Sequence, residues 1–186
     1  MEKTRKHGAS KRRTWRKLHL AIDPETGEIT ATEVTDNATD DASQVEPLLQ
    51  ETLAGPTDQV QYVYGDGAYD KWKVYRAIEA VGAEPVVPPQ KNAKIKRHGT
   101  SKGPRLARDE ALRYIRGHGR SKWKRQSGYH RRSLAETGVW RFKRVVGRVL
   151  RSRCMSRQET EARIGSKVLN DMLSLGRPES YALLVE

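Results

Sequence analysis

Alternating apolar and polar positions predict a β-hairpin near the start of the chain. Residues 17–23 and 28–35 each place apolar side chains largely at every second position, as half-buried strands do. Between them, residues 24–27 read Pro-Glu-Thr-Gly, with the proline early and the glycine late, which is typical of a tight turn. The pattern therefore predicts two antiparallel strands joined by that turn.

The next part of the chain alternates between helical and strand patterns. The predicted elements are a helix over 42–53, a strand over 60–64, a helix over 71–81 and a strand over 83–87. Asp40 and Asp41 are placed to cap the first of these helices, and Asp70 is placed to cap the second. Because a strand–helix–strand unit normally pairs its strands in parallel beneath the helix, the pattern indicates an α/β fold.

The C-terminal half is predicted to be helical after a basic loop. The predicted elements are a flexible loop over 90–104, a helix over 105–116 ended by Gly117-His-Gly119, a long helix over about 127–151 and a last helix over 157–175. Gly138 within the long helix costs about 1 kcal/mol relative to alanine. The apolar stripe expected on the last helix consists of Ile164, Val168, Leu169, Met172 and Leu175.

The long helix carries a chemically distinctive face. Arg132, Glu136 and Lys143 follow Tyr129 at offsets of 3, 7 and 14 residues, which at about 100° per residue form one narrow stripe. The apolar positions expected on the opposite, buried side are Leu134, Phe142, Val145 and Val149. A carboxylate framed by phosphate-binding groups favours metal-dependent chemistry on nucleic acid. The alternative is that these side chains only form salt bridges or pack along the helix.

The distribution of charge supports a polyanionic partner. The 186 residues carry a formal net charge of +13, and their 35% hydrophobic content is compatible with one packed core. Residues 23–84 hold 3 Lys/Arg against 14 Asp/Glu, whereas residues 90–157 hold 22 against 3. A basic block with Trp and Tyr interleaved is typical of DNA or RNA binding. The alternative is a basic face that is merely solvated.

Cysteine usage and hydropathy indicate the compartment. Cys154 has no partner for an internal disulfide, and no apolar run approaches the roughly 20 residues that span a bilayer. The basic N-terminus is not followed by an apolar stretch of signal-peptide length. We therefore expect a cytoplasmic, soluble protein.

Asp66 is the second candidate acid. It follows the predicted strand 60–64 in the tripeptide Gly65-Asp66-Gly67, at the carboxyl edge of the sheet, where ligands of open α/β folds bind. Gly-Asp-Gly is also ordinary turn chemistry, so a purely structural role is the alternative. Together with Glu136, Asp66 can hold divalent cations.

Several motifs in this chain resemble one family. The spacing of Tyr129, Arg132, Glu136 and Lys143 resembles the Y-R-E-K signature of bacterial insertion-sequence transposases. Further similar segments are residues 13–23 (Arg-Thr-Trp-Arg-Lys-Leu-His-Leu-Ala-Ile-Asp), Asp36-Asn37, residues 40–43 (Asp-Asp-Ala-Ser), residues 64–70 (Tyr-Gly-Asp-Gly-Ala-Tyr-Asp) and residues 88–92 (Pro-Pro-Gln-Lys-Asn). The resemblance runs from about residue 6 to residue 178.

The resemblance implies an RNase H-like mixed sheet with flanking helices and an Asp-Asp-Glu triad. Asp66 would be the second acid and Glu136 the third, holding Mg²⁺ or Mn²⁺, with two ions in the complete enzyme. Tyr129, Arg132 and Lys143 would contact DNA. The implied reaction is cleavage of double-stranded DNA at transposon ends and joining to target DNA, with a homodimer pairing two ends.

The first acid of the triad has no counterpart in the chain. The family carries it on a strand before the one predicted at 17–23, but residues 1–16 contain no aspartate and form a basic segment. Asp23 is a poor substitute, because it falls at the end of its strand far from Asp66. Asp36 and Asp40 are adequately explained as loop caps.

We therefore expect an N-terminally truncated catalytic domain over residues 17–156, followed by a C-terminal helix and tail over 157–186. Without the first strand, two strand edges would be left unpaired. Cleavage activity should be weak or absent. The alternatives are a non-catalytic DNA-binding remnant of a transposase and a basic RNA-associated protein.

Overall fold

The computed structural model describes residues 15–56, 59–97 and 106–176, and it begins with the expected hairpin. Strand β1 (Arg16–Ile22) pairs antiparallel with β2 (Ile29–Asp36). The turn between them is closed by hydrogen bonds between Asp23 and Glu28 and between Gly27 and Asp23. The predicted hairpin is confirmed, with a register shift at the end of β1.

A β-α-β unit follows, also as predicted. Its elements are α1 (Val45–Ala54), β3 (Tyr62–Tyr64), α2 (Trp72–Ala80) and β4 (Glu84–Val86). Strands β3 and β4 pair in parallel, with α2 as the crossover between them. Asp40 caps a short 3₁₀ helix, Asp41–Ser43, that leads into α1. The predicted cap at Asp70 is wrong, because Lys71 occupies the N-cap position of α2 and Asp70 turns inward.

The C-terminal half is helical, but it is divided more often than the apolar pattern predicts. Its elements are α3 (Ala107–His118), α4 (Arg120–Gln126), a 3₁₀ helix (Tyr129–Arg132), α5 (Ser133–Val145) and α6 (Met155–Ser174). The single helix predicted over 127–151 is wrong. Gly128 (φ 66°) and Gly147 (φ 132°) adopt backbone conformations that side chains other than glycine disfavour, and they bound the 3₁₀–α5 segment.

The strands form two separate two-stranded sheets, β1-β2 and β3-β4. In the part of the chain that the structure describes, no ladder joins the two sheets, so the single mixed sheet that the resemblance implies is not seen among these residues. Helix α1 and the β3–β4 unit share one apolar cluster around Val74 and Ile78. Sheet β1-β2 and helices α5 and α6 share a second cluster around Phe142 and Leu169.

Helix α5 packs closely on the hairpin because it carries glycine at the contact. A Cβ at Gly138 would lie 2.0 Å from Ile22 Cδ1, so the helical cost of this glycine is offset by close approach to β1. Phe142 is buried as predicted. The remaining predicted buried positions of this helix are wrong, since Leu134, Val145 and Val149 are 36%, 49% and 80% exposed.

The apolar stripe expected on the last helix is mostly exposed. Leu169 is buried, whereas Ile164, Val168, Met172 and Leu175 remain accessible. None of the helices among the described residues is long and apolar enough to cross a membrane. Of the predicted loop 90–104, residues 90–97 form neither helix nor strand, and the rest lies outside the described residues.

Candidate functional site

Asp66 lies immediately after β3 and begins a short 3₁₀ helix, Gly67–Tyr69. Its Oδ1 accepts a hydrogen bond of 2.8 Å from the N–H of Ala68. Since the side chain is only partly buried, one carboxylate oxygen supports the turn while the group remains accessible. The structure thus confirms the turn-forming role without excluding Asp66 from chemistry.

Tyr129, Arg132 and Glu136 lie in one row along the 3₁₀ helix and α5. The Arg132 guanidinium lies 5.7 Å from the Tyr129 ring centroid, and its Nη1 donates to Glu136 Oε1 at 2.7 Å. An offset of three residues is one full 3₁₀ turn, and the following offset of four is close to one α-helical turn. The predicted alignment therefore persists for Tyr129, Arg132 and Glu136, although the segment is not one α-helix.

Asp66 and Glu136 line the same cavity. It has a volume of about 900 Å³ and lies between β1 and β3, with side chains of α1 and α5 also in its lining. The hydrogen bond to Glu136, with the charge of Asp66 adding to it, raises the pKa of Arg132. Arg132 is therefore within the electrostatic reach of both acids, which stand 70 residues apart in the sequence.

Lys143 and Tyr129 do not line the cavity that Asp66 and Glu136 share. Lys143 is exposed on α5 and does not line the cavity. Tyr129 packs against Trp123, with ring centroids 6.0 Å apart, and Lys124 lies over its ring at 4.9 Å. This aromatic–cation group is a further contact that the stripe alone did not reveal.

Asp70, four residues after Asp66, belongs to a buried network instead of the cavity. Its carboxylate accepts bidentate hydrogen bonds from Arg108, at 2.6 and 3.0 Å, and others from the Tyr75 hydroxyl and the Gln90 N–H. Burial alone would raise the pKa of Asp70, but these hydrogen bonds hold it below its ordinary value. Asp70 is consequently a structural acid.

The other acids considered from the sequence support turns. Asp23 accepts from the Glu25 N–H and the Thr26 hydroxyl, and Asp36 accepts from the Thr39 N–H and hydroxyl. Asp40 accepts weakly from the Ala42 N–H at 3.4 Å. These contacts confirm loop capping by Asp36, whereas Asp40 caps its 3₁₀ helix weakly and is also held by Lys71 and Lys73.

Three lysines near the Asp66 end of the cavity were missed by the sequence analysis. Lys71 and Lys73 pair with Asp40, and Lys17 pairs with Asp41. Burial, with the charges of Asp41, Asp66 and Asp40 adding to it, raises the pKa of Tyr69. Lys17 lies in β1, whereas Lys71 is the N-cap residue of α2 and Lys73 lies in its first turn, so no single helix or strand pattern contains all three.

The described residues do not fit a two-metal site by themselves. Across residues 15–56, 59–97 and 106–176, no group of three or more His, Cys, Asp or Glu side chains is placed to hold a metal ion. Of the two candidate carboxylates, Glu136 is paired with Arg132 and Asp66 supports a turn. Two divalent ions need more oxygen ligands than this pair offers.

The chain matches the model of a known protein family. The family model described as the transposase DDE domain matches residues 1–170, which is most of the chain. No solved structure matches the fold.

Proposed function

Because the chain belongs to the family of transposase DDE domains, we propose that it acts on double-stranded DNA at transposon ends. The proposed reaction is metal-dependent strand cleavage followed by transfer to target DNA, at the bacterial nucleoid and by a homodimer that pairs two ends. Proteins of this family generally use divalent metal ions. We propose Mg²⁺ or Mn²⁺ here, with two ions in the complete enzyme.

The proposal depends mainly on the shared cavity of Asp66 and Glu136. These acids come from the end of β3 and from α5, yet both line the space between β1 and β3. We propose them as the catalytic and metal-binding acids of an RNase H-like domain. Arg132, Tyr129 and Lys143 are proposed to contact DNA, since guanidinium, ammonium and phenol groups bind phosphate oxygens.

Strand cleavage needs at least one further carboxylate beside these two. Glu136 is 66% exposed and its pairing with Arg132 is a surface salt bridge, which exchanges readily for another partner. Asp66 and Glu136 are therefore available for a ligand, but these two acids do not complete a two-metal site among the described residues. For this reason we propose that cleavage by this chain alone is weak.

A second candidate function is DNA binding without catalysis. It is favoured by the absence of a three-acid cluster in the described parts of the chain and by the 22 Lys/Arg against 3 Asp/Glu in residues 90–157. Such a protein would bind DNA through its basic helices, and its affinity would fall steeply with salt.

One experiment separates the two functions. The chain is assayed for binding and nicking of transposon-end DNA with Mg²⁺ or Mn²⁺, alongside Asp66→Asn, Glu136→Gln and the control Asp36→Asn, which alters an exposed turn acid. Transposase function predicts weak nicking that both site variants abolish and the control retains. Nicking that persists in both site variants would overturn the assignment of the acids. Salt-dependent binding with no metal-dependent nicking in any variant would favour the second function.

A further inference from the structure

The junction of α5 and α6 carries many cations and no acids. Between Glu136 and Glu159 the chain contains no acidic residue. Residues 141–157, named here the arginine segment, hold six arginines: Arg141, Arg144, Arg148, Arg151, Arg153 and Arg157. All of them except Arg141 are exposed. The segment therefore forms a dense positive surface, which also includes Lys143.

The guanidinium groups of the arginine segment lack carboxylate partners. Elsewhere in the chain Arg108, Arg131 and Arg163 are each paired with an acid. In the part of the chain that the structure describes, no ion pair involves an arginine of the arginine segment. Like charges without counter-charges repel one another and disfavour the compact state. A polyanionic partner would remove that repulsion.

The helix dipole explains only part of this charge. Lys143 and Arg144 lie in the last turn of α5, where the negative end of the dipole stabilises cations. That effect falls off within the last turn of a helix. Because Arg148 and Arg151 follow the end of α5, the dipole does not account for them.

The loop between α5 and α6 is held in place by side chains of α6. The Glu161 carboxylate accepts hydrogen bonds from the N–H of Arg151, at 2.8 and 3.0 Å, and from the N–H of Ser152, at 3.0 Å. Gln158 Nε2 donates to the Ser152 carbonyl at 2.9 Å. Leu150 packs against the second apolar cluster. Glu161 thus orders the backbone of the loop instead of neutralising one of its guanidinium groups.

We propose that the arginine segment binds the phosphate backbone of double-stranded DNA beside the candidate site. A guanidinium group donates two parallel hydrogen bonds to a phosphate and is always charged in proteins. A loop that is already ordered in the free protein loses less conformational entropy when it binds. The proposal rests on the DNA partner of the proposed function, but not on its metal chemistry.

The position of the arginine segment along α5 indicates which part of the duplex it contacts. Glu136 and Arg144 both lie on α5, and their spacing in the sequence corresponds to about 12 Å along the helix axis. That distance equals about 4 base pairs of B-DNA. The arginines of the loop follow Arg144 in the chain. The segment therefore contacts phosphates that flank the cleaved bond, so it anchors the duplex and takes no part in cleavage.

Salt-dependent binding of the full chain to a duplex tests the proposal. The probe is a fluorescein-labelled DNA duplex of about 30 base pairs, titrated by fluorescence anisotropy without metal at about 50 to 200 mM salt. Each phosphate contact contributes about 0.9 to the slope of log affinity against log salt concentration. We expect Arg148→Gln/Arg153→Gln to reduce that slope by about 1.8 and to weaken binding about tenfold or more at the lower salt concentrations.

The matched control removes the same amount of charge from α6. In Arg163→Gln/Lys167→Gln the two replaced cations are exposed but paired, with Glu33 and Asp171. This control should change the slope by less than about 0.5. Equal changes of slope in the two double variants would overturn the proposal. Weaker binding by Arg148→Gln/Arg153→Gln with an unchanged slope would also overturn it, because no phosphate contact would have been lost.

A second pair of variants tests the ordering of the loop. Glu161→Ala removes the acceptor of two backbone N–H groups, whereas Glu159 on the same helix makes no hydrogen bond to the loop among the described residues. Glu159→Ala raises the net charge equally, and added positive charge alone would strengthen DNA binding. We expect Glu161→Ala to bind the duplex about threefold more weakly than Glu159→Ala. Equal affinities would refute Glu161 as a positioning residue. If Glu161→Ala does not fold, the two double variants decide.

The outcomes distinguish this proposal from the proposed function. If the unaltered chain does not bind duplex DNA, both proposals fail. DNA binding whose salt slope does not respond to Arg148→Gln/Arg153→Gln overturns only the role of the arginine segment. Tighter binding of a hairpin RNA of the same length than of the duplex would overturn the choice of DNA. Because no metal is present, cleavage chemistry at Asp66 and Glu136 takes no part in any of these measurements.

Discussion

The sharpest prediction concerns two aspartates that stand four residues apart. Asp70→Asn should strongly destabilise the protein, while Asp66→Asn should not. The Asp70 side chain is 0% exposed and that of its partner Arg108 is 13% exposed. Asparagine keeps the shape of the side chain but replaces one acceptor by an NH₂ group, which then faces a donor of Arg108 or Gln90.

The magnitude follows from leaving a buried cation without its counter-charge. Removing one partner of a buried ion pair costs about 3–5 kcal/mol. The Asn replacement preserves part of the hydrogen bonding, so we expect a loss of about 3 kcal/mol in the free energy of unfolding. For a chain of this length that loss corresponds to a decrease of about 6–12 °C in Tm. Asp66→Asn should cost less than about 1 kcal/mol, since asparagine also caps helices well.

Urea denaturation followed by far-ultraviolet circular dichroism provides the measurement. The double variant Asp70→Asn/Arg108→Met removes both charges and should recover part of the loss, which a double-mutant cycle quantifies. A pH series adds an independent check. Because the pKa of Asp70 is lowered in the folded protein, its contribution is complete above the unfolded pKa of about 3.9 and is lost as the pH falls below it. The Asp70→Asn variant should therefore lose less stability than the unaltered chain between pH 5 and pH 3.

The structural role of Asp70 would be refuted by a loss below about 1 kcal/mol in Asp70→Asn. A loss in Asp66→Asn as large as that in Asp70→Asn would refute the distinction between the two acids. Either result would require the functional acid of the Tyr64–Asp70 segment to be reassigned.

Two further predictions concern packing and pH. Gly165→Ala should lower the free energy of unfolding by about 1–3 kcal/mol, because a Cβ there would lie 2.8 Å from Val146 Cγ1 and 3.0 Å from the Phe142 ring. In thermal melts the control Gly117→Ala, whose Cβ meets nothing within 4 Å, should instead stabilise the protein by up to about 1 kcal/mol. Tm shifts of the same sign in the two glycine variants would contradict the packing argument. Burial lowers the pKa of His19, so the unfolded chain binds its proton at higher pH and stability should fall as the pH decreases through about 6.5. His19→Gln should flatten that decline between pH 7.5 and pH 5 in urea titrations, and an unchanged slope would show that His19 does not cause it.

Elements with a strong local pattern were predictable from the sequence. The hairpin and the β-α-β unit were predicted correctly, because alternation and turn residues act over a few neighbouring positions. Helix α4 was missed, since of its seven residues only Trp123 is buried and no apolar stripe marks it. The helix predicted over 127–151 was too long, because the effect of Gly128 and Gly147 depends on their positive φ angles.

In the candidate site, too, contacts between neighbouring residues were predictable from the sequence, and contacts between distant elements were not. The row of Tyr129, Arg132 and Glu136 was predicted from spacing, because residues three and four apart meet on any helical turn. The burial of Leu134 and Val149 was predicted wrongly, since a helix pattern alone does not show whether another element covers that face.

The sequence by itself determined the local chemistry of this protein: a hairpin, a β-α-β unit, a basic C-terminal half and a carboxylate beside an arginine. Only the tertiary structure decided which acids are available. It pairs Asp70 with Arg108, 38 residues away, and leaves Asp66 at the border of a cavity shared with Glu136. The physical reason is that a carboxylate is neutralised by whichever cation the fold brings within hydrogen-bonding distance. Distance along the chain does not specify that partner.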